Sequence, residues 1–280
     1  MVDRVVTLED AARFCGMLRT EEKAAATVEK YGRDALGFVR YVSGRLVTKE
    51  LVIEYKAHLQ ERYAARSVNA MLSAVNRFLS FLGLADCRVK TLKTQRAVFC
   101  SAEKELTREE YLRLLSAAEG SGKERLHLIL QTICGTGIRV SELSAITVEA
   151  AQRGEAVVRC KGKTRTVLLV RALRKKLLRY AKENGIAAGA IFVTRTGKPL
   201  DRTNIWREMK ALCRKAKVSA EKVFPHNLRH LFARTFYAVE KDIVKLADIL
   251  GHSSVDTMRI YMIATGAEHR RKLERMHLVL

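Results

Sequence analysis

The 280-residue sequence has no hydrophobic run long enough to cross a membrane. No stretch approaches about 18 consecutive apolar residues, the usual minimum for a transmembrane helix. The first ten residues include acidic side chains and no long apolar core, which argues against a secretory signal. Hydrophobic residues still make up 48% of the chain. We therefore expect a folded cytoplasmic protein with a packed core and no membrane partner.

The six cysteines lack the spacing of a zinc site or of a redox pair. No two of them are closer than 13 residues, so no Cys-x-x-Cys motif exists. Several are flanked by apolar residues, which favours buried, reduced thiols. The carboxylate cluster that a metal-dependent nuclease needs is also missing, since the polar motifs around residues 135–143 and 225–230 supply only Glu142. The sequence predicts no metal site and no cofactor.

Acidic residues are scarce relative to basic ones. The chain has 30 Asp and Glu against 52 Lys and Arg, for a net charge of +22. Such a surplus favours a polyanionic partner, because each neutralised phosphate releases a counterion. RNA and anionic membranes also attract basic proteins, so charge alone does not select DNA. Residues 157–182 contain ten basic residues and no acid, although a solvated helix face is the better interpretation for part of Arg171–Lys182.

The length and the apolar periodicity predict two domains. A chain of this length holds about two domains at roughly 100–200 residues each. Residues 1–84 are predicted to form a helical domain, because apolar residues recur at spacings of 3 and 4 over Val28–Val42 and Val68–Leu82. Gly83 ends the second helix, and a further helix is capped near Thr48. Residues 85–104 lose the periodicity and are rich in Lys and Arg, so we interpret them as an interdomain linker that lies along phosphates.

A capping box at Thr107–Glu110 marks the start of a second domain, residues 105–280. Glu155–Cys160 and Thr164–Val170 are rich in β-branched residues and predict a hairpin whose tip, 161–163, is basic. Helices are predicted at residues 140–146, 171–183, 203–217, 226–238, 243–250, 255–262 and 268–276. The predicted fold class is therefore mainly α: a helical N-terminal domain, then a mixed α+β domain with a small antiparallel sheet.

Two short motifs in the second domain combine arginine with glycine or histidine. Arg139 stands in Gly-Thr-Gly-Ile-Arg-Val-Ser-Glu-Leu (135–143), where both glycines allow close backbone approach and Glu142 could hold the guanidinium. His226 and Arg229 stand in Pro-His-Asn-Leu-Arg-His (225–230) and, at i and i+3, share a helix face. His230 is expected on a different face, where a hydrogen-bonded core histidine is as good an interpretation as a role in the site. Asn at position 227 argues against a zinc-binding histidine pair.

Two further residues complete a set that can act on a phosphodiester. His252 follows Gly251, a helix end signal, and Tyr261 lies nine residues later. Two guanidiniums can stabilise the charge of a phosphodiester transition state without a metal. A tyrosine hydroxyl, with a pKa of about 10, needs cations or a base such as His226 or His252 in order to attack. Lys161 at the hairpin tip is a candidate acid for the leaving oxygen, although a simple phosphate contact is the alternative.

These segments, in this order, resemble the tyrosine recombinase (phage integrase) family. The resemblance spans nearly the whole second half of the chain: residues 135–143, the 160–169 hairpin, 225–230, 250–254 and the approach to Tyr261. The family's hairpins carry Gly-Lys-Gly, a spacer and Lys-x-Arg, whereas this hairpin is one residue shorter. Lys163 therefore remains an alternative to Lys161 as the general acid. The resemblance implies that Tyr261 is the nucleophile, that Glu142 supports the first arginine, and that the catalytic set is Arg139, Lys161, His226, Arg229, His252 and Tyr261.

The resemblance also implies a function and partners. A core-binding, SAM-like N-terminal domain and a catalytic domain would close around double-stranded DNA. We expect no room ahead of residue 1 for an arm-binding domain. In this the chain resembles compact Xer-like or small mobile-element integrases. Tyr261 would form a 3′-phosphotyrosyl link, and the freed 5′-hydroxyl would attack a partner duplex, giving integration, excision, inversion or resolution. The expected state is a nucleoid-associated homotetramer on two DNA sites, and accessory DNA-bending proteins are candidates for further partners. A type IB topoisomerase-like relaxing enzyme and a catalytically silent DNA-binding regulator are the alternatives.

Overall fold

The computed structural model describes residues 4–93, 104–160, 163–194, 196–251 and 274–275. It divides into two units, Met1–Arg96 and Ala97–Leu280. The predicted helices at 255–262 and 268–276, apart from residues 274 and 275, lie outside the described residues. No helix in the described part of the chain is both long and apolar enough to span a membrane.

The first unit is built from four helices. They are α1 (Leu8–Thr20), α2 (Ala25–Val42), α3 (Lys49–Arg62) and α4 (Ala65–Phe81). Both predicted apolar stripes face its core: Phe38 and Val42 of α2 and Leu72 and Leu79 of α4 are fully buried. Thr48 accepts a hydrogen bond from the backbone of Leu51, which confirms the predicted cap of α3.

The segment that follows α4 is held on this first unit. The side chain of Asn76 both donates to the carbonyl of Val89 (2.8 Å) and accepts from its N–H (3.0 Å). Asn69 makes the same pair of bonds to Leu92, at 3.0 and 2.7 Å. Val89 is buried in the core of this unit. The first part of the predicted linker is therefore fixed to α4 by side chains that satisfy its backbone groups.

The second unit contains seven helices among its described residues, with one hairpin. Helix α5 (Arg108–Glu119) begins with the predicted capping box, in which Thr107 and Glu110 exchange hydrogen bonds. Sequence periodicity did not predict α6 (Glu124–Thr136), because its buried residues cover most of its circumference and leave no single stripe. The others are α7 (Val148–Arg153), α8 (Arg171–Glu183), α9 (Arg202–Ala216), α10 (Pro225–Glu240) and α11 (Ile243–Leu250).

The hairpin pairs β1 (Glu155–Cys160) with β2 (Lys163–Leu168) in antiparallel register. Lys163 pairs with Cys160 and therefore lies in the strand, not in the turn as predicted. Strand β2 also ends two residues earlier than predicted, because the backbone N–H of Leu169 bonds the carbonyl of Gly154 and Val170 is the N-cap residue of α8. Val158 and Val167 are buried on the inner face, so the hairpin packs as a small sheet against the helical core.

Candidate active site

Arg139 is held by Glu142, as predicted. Arg139 precedes a 3₁₀ segment, Val140–Ala145, and its backbone N–H donates to Glu142 Oε2 at 2.9 Å. Its Nη1 donates to Glu142 Oε1, also at 2.9 Å. The Glu142 side chain is 3% exposed and that of Arg139 is 29% exposed. A buried carboxylate thus orients a guanidinium whose outer edge reaches the surface, an arrangement suited to a bound anion.

Gly137 allows a close approach just before Arg139. It ends α6 in the left-handed conformation, at φ 66°. A Cβ added there would lie 2.5 Å from Phe232 Cδ1 and 2.7 Å from Leu250 Cδ2. The same expectation for Gly135 is wrong, because Gly135 lies inside α6 and a Cβ would meet nothing within 4 Å. Of these two glycines, only Gly137 is required by local packing.

Arg229 lies inside the protein and joins two segments. It is 2% exposed, on α10 three residues after His226. Its Nη1 donates to the carbonyl oxygen of Gly137 at 2.5 Å, and its Nη2 donates to that of Leu250 at 2.6 Å. The second predicted arginine therefore holds the loop that carries the first one against the end of α11.

Arg165 belongs to the same cluster, although sequence reasoning did not select it. Its Nη2 donates to Glu142 Oε2 at 2.6 Å, and its Nη1 donates to the carbonyl of Ile249 at 3.0 Å. The side chain is 12% exposed. Glu142 consequently accepts from the guanidinium of Arg139 on Oε1 and from the guanidinium of Arg165 on Oε2, which also accepts from the backbone N–H of Arg139. The sequence signal from which Arg165 could have been selected is the Lys-x-Arg pattern at residues 163–165 of the hairpin.

The end of α11 is surrounded by guanidiniums. Gly251 caps it in the left-handed conformation, at φ 64°. The last carbonyls of a helix lack partners within the helix and carry partial negative charge. Here three consecutive carbonyls each accept from a different arginine, namely Ile249 from Arg165, Leu250 from Arg229 and Gly251 from Arg139, the last at 3.5 Å. This arrangement fixes the backbone immediately before His252.

The histidines of α10 contact each other. The ring centroids of His226 and His230 are 4.5 Å apart, so the expectation that they occupy different faces is wrong, since positions i and i+4 lie one turn apart. Desolvation and the charge of Arg229 lower the pKa of His226 below its usual 6.5, even though the residue lies at the surface. Burial lowers the pKa of His230 to about 4, with the neighbouring His226 as the next cause. Both rings are neutral near pH 7.

Asn227 and Arg234 connect α10 to the segment that enters this unit. Buried Asn227 donates to the carbonyls of Lys104 (2.7 Å) and Lys222 (2.8 Å). Arg234 Nη2 donates to the carbonyl of Leu106 at 2.8 Å, and its Nη1 pairs with Glu105. The helix that carries His226 and Arg229 is therefore tied to the first described residues of the second unit.

The remaining predicted site residues fall outside what the structure describes. Lys161, His252 and Tyr261 are among the undescribed residues, and only the backbone of Lys163 is described. Within the described residues, no group of three or more His, Cys, Asp or Glu side chains is placed to hold a metal ion. The structure thus brings together Arg139, Glu142, His226, Arg229 and His230, and it adds Arg165.

Sequence comparison finds two family models on this chain. Residues 104–267 match the phage integrase family, and residues 11–85 match the phage integrase N-terminal SAM-like domain. The tyrosine recombinase XerA of Thermococcus kodakarensis is 33% identical over 267 residues, which cover 92% of this chain and 91% of that protein.

Solved structures share the fold. A post-cleavage complex of the XerH site-specific recombinase on a palindromic difH substrate gives a TM-score of 0.74 at 20% identity, covering 96% of this chain and 84% of that one. A lambda integrase tetramer bound to a Holliday junction gives 0.70 at 20% identity, covering 90% and 76%. The mainly helical fold with an N-terminal SAM-like domain and a small antiparallel sheet is the tyrosine recombinase fold. The chain therefore belongs to the phage integrase family and is a tyrosine recombinase.

Proposed function

We propose that this protein is a site-specific DNA recombinase that cuts and rejoins duplex DNA through a 3′-phosphotyrosyl intermediate. The observation that carries the proposal is the cluster in which buried Glu142 orients Arg139 while buried Arg229 fixes the adjoining loop. Guanidiniums held in advance stabilise phosphodiester charge without reorganisation during the reaction. The net charge of +22 supports a nucleic acid as the substrate.

The proposed reaction is a pair of transesterifications. The hydroxyl oxygen of Tyr261 attacks the phosphorus, the bond to the 5′-oxygen breaks, and the phosphotyrosyl bond replaces it. His226, whose lowered pKa keeps it neutral near pH 7, can accept the tyrosine proton, with His252 as the second candidate base. Lys161, or Lys163 as its rival, donates a proton to the leaving 5′-oxygen. The freed 5′-hydroxyl of a partner strand then reverses these steps, so the bond energy is kept.

We assign the domains as follows: residues 1–84 contact the core of the DNA site, residues 85–104 form the linker, and residues 105–280 carry out catalysis. The family-model boundaries at 11–85 and 104–267 support this division. In the first unit, the lining of a groove between α1 and α2 includes four basic residues suited to phosphates, Arg19, Lys23, Arg33 and Arg40, together with one acid, Glu29, and several apolar residues.

We further propose a homotetramer on two DNA sites, since strand exchange needs four cleavages, one per strand. The tetrameric state of the matched lambda integrase complex on a Holliday junction supports this. The relatives matched here are named recombinases, which favours strand exchange over a topoisomerase-like relaxing enzyme or a silent regulator. Accessory DNA-bending proteins would act on the DNA between sites.

A covalent-trapping experiment tests the proposal. The binding site is first selected from randomised duplexes and compared with the DNA that flanks the gene. It is then synthesised with a nick near the cleavage position. Cleavage releases the short fragment that carries the 5′-hydroxyl, which diffuses away and cannot rejoin. In excess EDTA, the wild type should accumulate a covalent protein–DNA adduct. Tyr261→Phe should abolish the adduct and retain binding, whereas Tyr63→Phe, an exposed tyrosine of the first unit, should behave as wild type.

Four results would contradict the proposal. An adduct that persists in Tyr261→Phe places the nucleophile elsewhere. A strict requirement for Mg²⁺ in the cleavage step rules out the arginine mechanism. DNA binding with no adduct in the wild type identifies a silent regulator, and relaxation of a single supercoiled circle by a monomer, without strand exchange, identifies a topoisomerase-like enzyme.

A further inference from the structure

We propose that Arg165 is a positioning residue for strand cleavage that holds the β1–β2 hairpin, which carries both candidate general acids, against Glu142 and the end of α11. This inference rests on the proposed recombinase function and adds to it a residue with a separate, testable role.

Arg165 links three segments that are distant in sequence. It lies in the middle of β2, opposite Val158 of β1. Its Nη2 bonds to Glu142, 23 residues earlier, at 2.6 Å, and its Nη1 bonds to the carbonyl of Ile249, 84 residues later, at 3.0 Å. The two terminal nitrogens of one guanidinium thus donate to two different segments of the protein. A lysine has a single ammonium group and could not reproduce this geometry.

The shape of the site matches the side chain of Arg165 as well. A Cβ added at Gly251 would lie 2.5 Å from Arg165 Cδ and 2.8 Å from its Nε. The aliphatic part of Arg165 therefore lies directly on the backbone of Gly251, which is adjacent to His252. The site is also complementary in charge, because a buried carboxylate and a helix C-terminus both favour a cation.

The hairpin needs such an anchor. A two-stranded sheet is marginally stable by itself, and on its outer face Val157 and Leu168 are 50% and 71% exposed. Its inner contacts must therefore set its position. Since Glu142 binds the guanidinium of Arg165 with one oxygen and the guanidinium of Arg139 with the other, a single carboxylate fixes the hairpin relative to the first arginine. Loss of Arg165 should leave the hairpin folded but displace the general acid from the leaving oxygen.

The test compares two suicide substrates in single-turnover cleavage at saturating protein. One has normal phosphodiesters, and the other has a 5′-bridging phosphorothiolate, whose thiolate leaving group needs no proton. Arg165→Gln should cleave normal DNA about 10²-fold more slowly than wild type, the lower end of what general acid catalysis contributes. On the phosphorothiolate it should recover to within about 3-fold, because the missing proton transfer is no longer required. Arg165→Lys should show the same selective rescue.

Arg159→Gln is the matched control, because Arg159 lies exposed on β1 of the same hairpin and its loss removes the same charge. It should cleave both substrates at the wild-type rate. An equal loss on both substrates in Arg165→Gln, with wild-type melting, would overturn the inference, as would no loss at all. If Arg165→Gln fails to fold, Arg165→Lys is compared on the two substrates instead. Recovery of its cleavage rate on the phosphorothiolate supports the inference, and an equal loss on both substrates overturns it. If the wild type itself forms no adduct with either substrate, the proposed function fails instead.

Discussion

The guanidinium of Arg229 lies 2.5 Å from the carbonyl oxygen of Gly137, so the helix that carries the second arginine of the site fixes the loop that carries the first. Arg229 is 2% exposed, and its other terminal nitrogen holds Leu250. A residue expected from sequence to contact a phosphate therefore also determines the structure around it.

Replacing Arg229 should affect stability as well as cleavage. Arg229→Lys cannot reach both carbonyls, and hydrogen bonds to charged groups contribute about 1.5–3 kcal/mol each. We expect the free energy of unfolding to fall by roughly 2 kcal/mol and cleavage to be lost. Urea denaturation and the trapping assay measure the two effects. Arg179→Lys, at an exposed position of α8, should change neither, and an unchanged stability of Arg229→Lys would contradict the structural role.

Two neighbouring glycines should respond oppositely to alanine. Gly137→Ala places a methyl group 2.5 Å from Phe232 at a positive φ, so we expect a loss of about 1–3 kcal/mol and reduced cleavage. Gly135→Ala lies within α6 in open space and should be neutral or stabilising by about 0.5–1 kcal/mol. Denaturation midpoints of both variants test this, and equal destabilisation would show that the packing at Gly137 is not specific.

Acidification should destabilise the second unit through His230. The pKa of His230 falls from its usual 6.5 to about 4 in the folded protein, so the unfolded chain binds its proton first. Stability is fully present above pH 6.5 and is lost progressively as the pH falls from 6.5 towards 4. Denaturation curves between pH 7.5 and pH 4.5, compared with those of His230→Gln, isolate the contribution. An identical slope in the variant would contradict it.

The two hairpin lysines should be distinguishable by their leaving-group dependence. If Lys161 is the general acid, Lys161→Ala should be slow on normal DNA and largely rescued on a 5′-bridging phosphorothiolate, while Lys163→Ala should show no selective rescue. Single-turnover cleavage rates decide between them. Selective rescue of Lys163→Ala alone would reverse the assignment.

The segment after Tyr261 should support assembly. Leu273, Met276 and Val279 recur at helical spacing, and burying three such side chains contributes several kcal/mol at about 1.5–3 each, before ordering costs. Removing residues 267–280 should leave binding to one site intact, weaken assembly on two sites and alter cleavage. Light scattering on DNA-bound protein measures the assembly. Four subunits and normal recombination in the truncated protein would show that the tail only packs on its own domain.

Much of the fold could be predicted from local sequence. The stripes of α2 and α4, the caps at Thr48 and Thr107, and the end of α11 at Gly251 depend on residues within one or two turns of each other. Side-chain periodicity and capping act over that distance. Helix α6 could not be predicted from periodicity, because a helix that is buried on most sides shows no single apolar stripe. The motif order also sufficed to identify the family.

Only the tertiary structure decided how the site is held. Arg165, Arg229 and Arg139 reach carbonyls that are 84, 21 and 112 residues away, and no local pattern specifies such pairings. They depend on where α11 and the hairpin pack, since a guanidinium bonds whichever acceptors the folded core places around it. The sequence alone determined that arginines, histidines and a tyrosine are present in an order suited to phosphodiester chemistry. Packing decided that a single carboxylate, Glu142, is shared between Arg139 and Arg165.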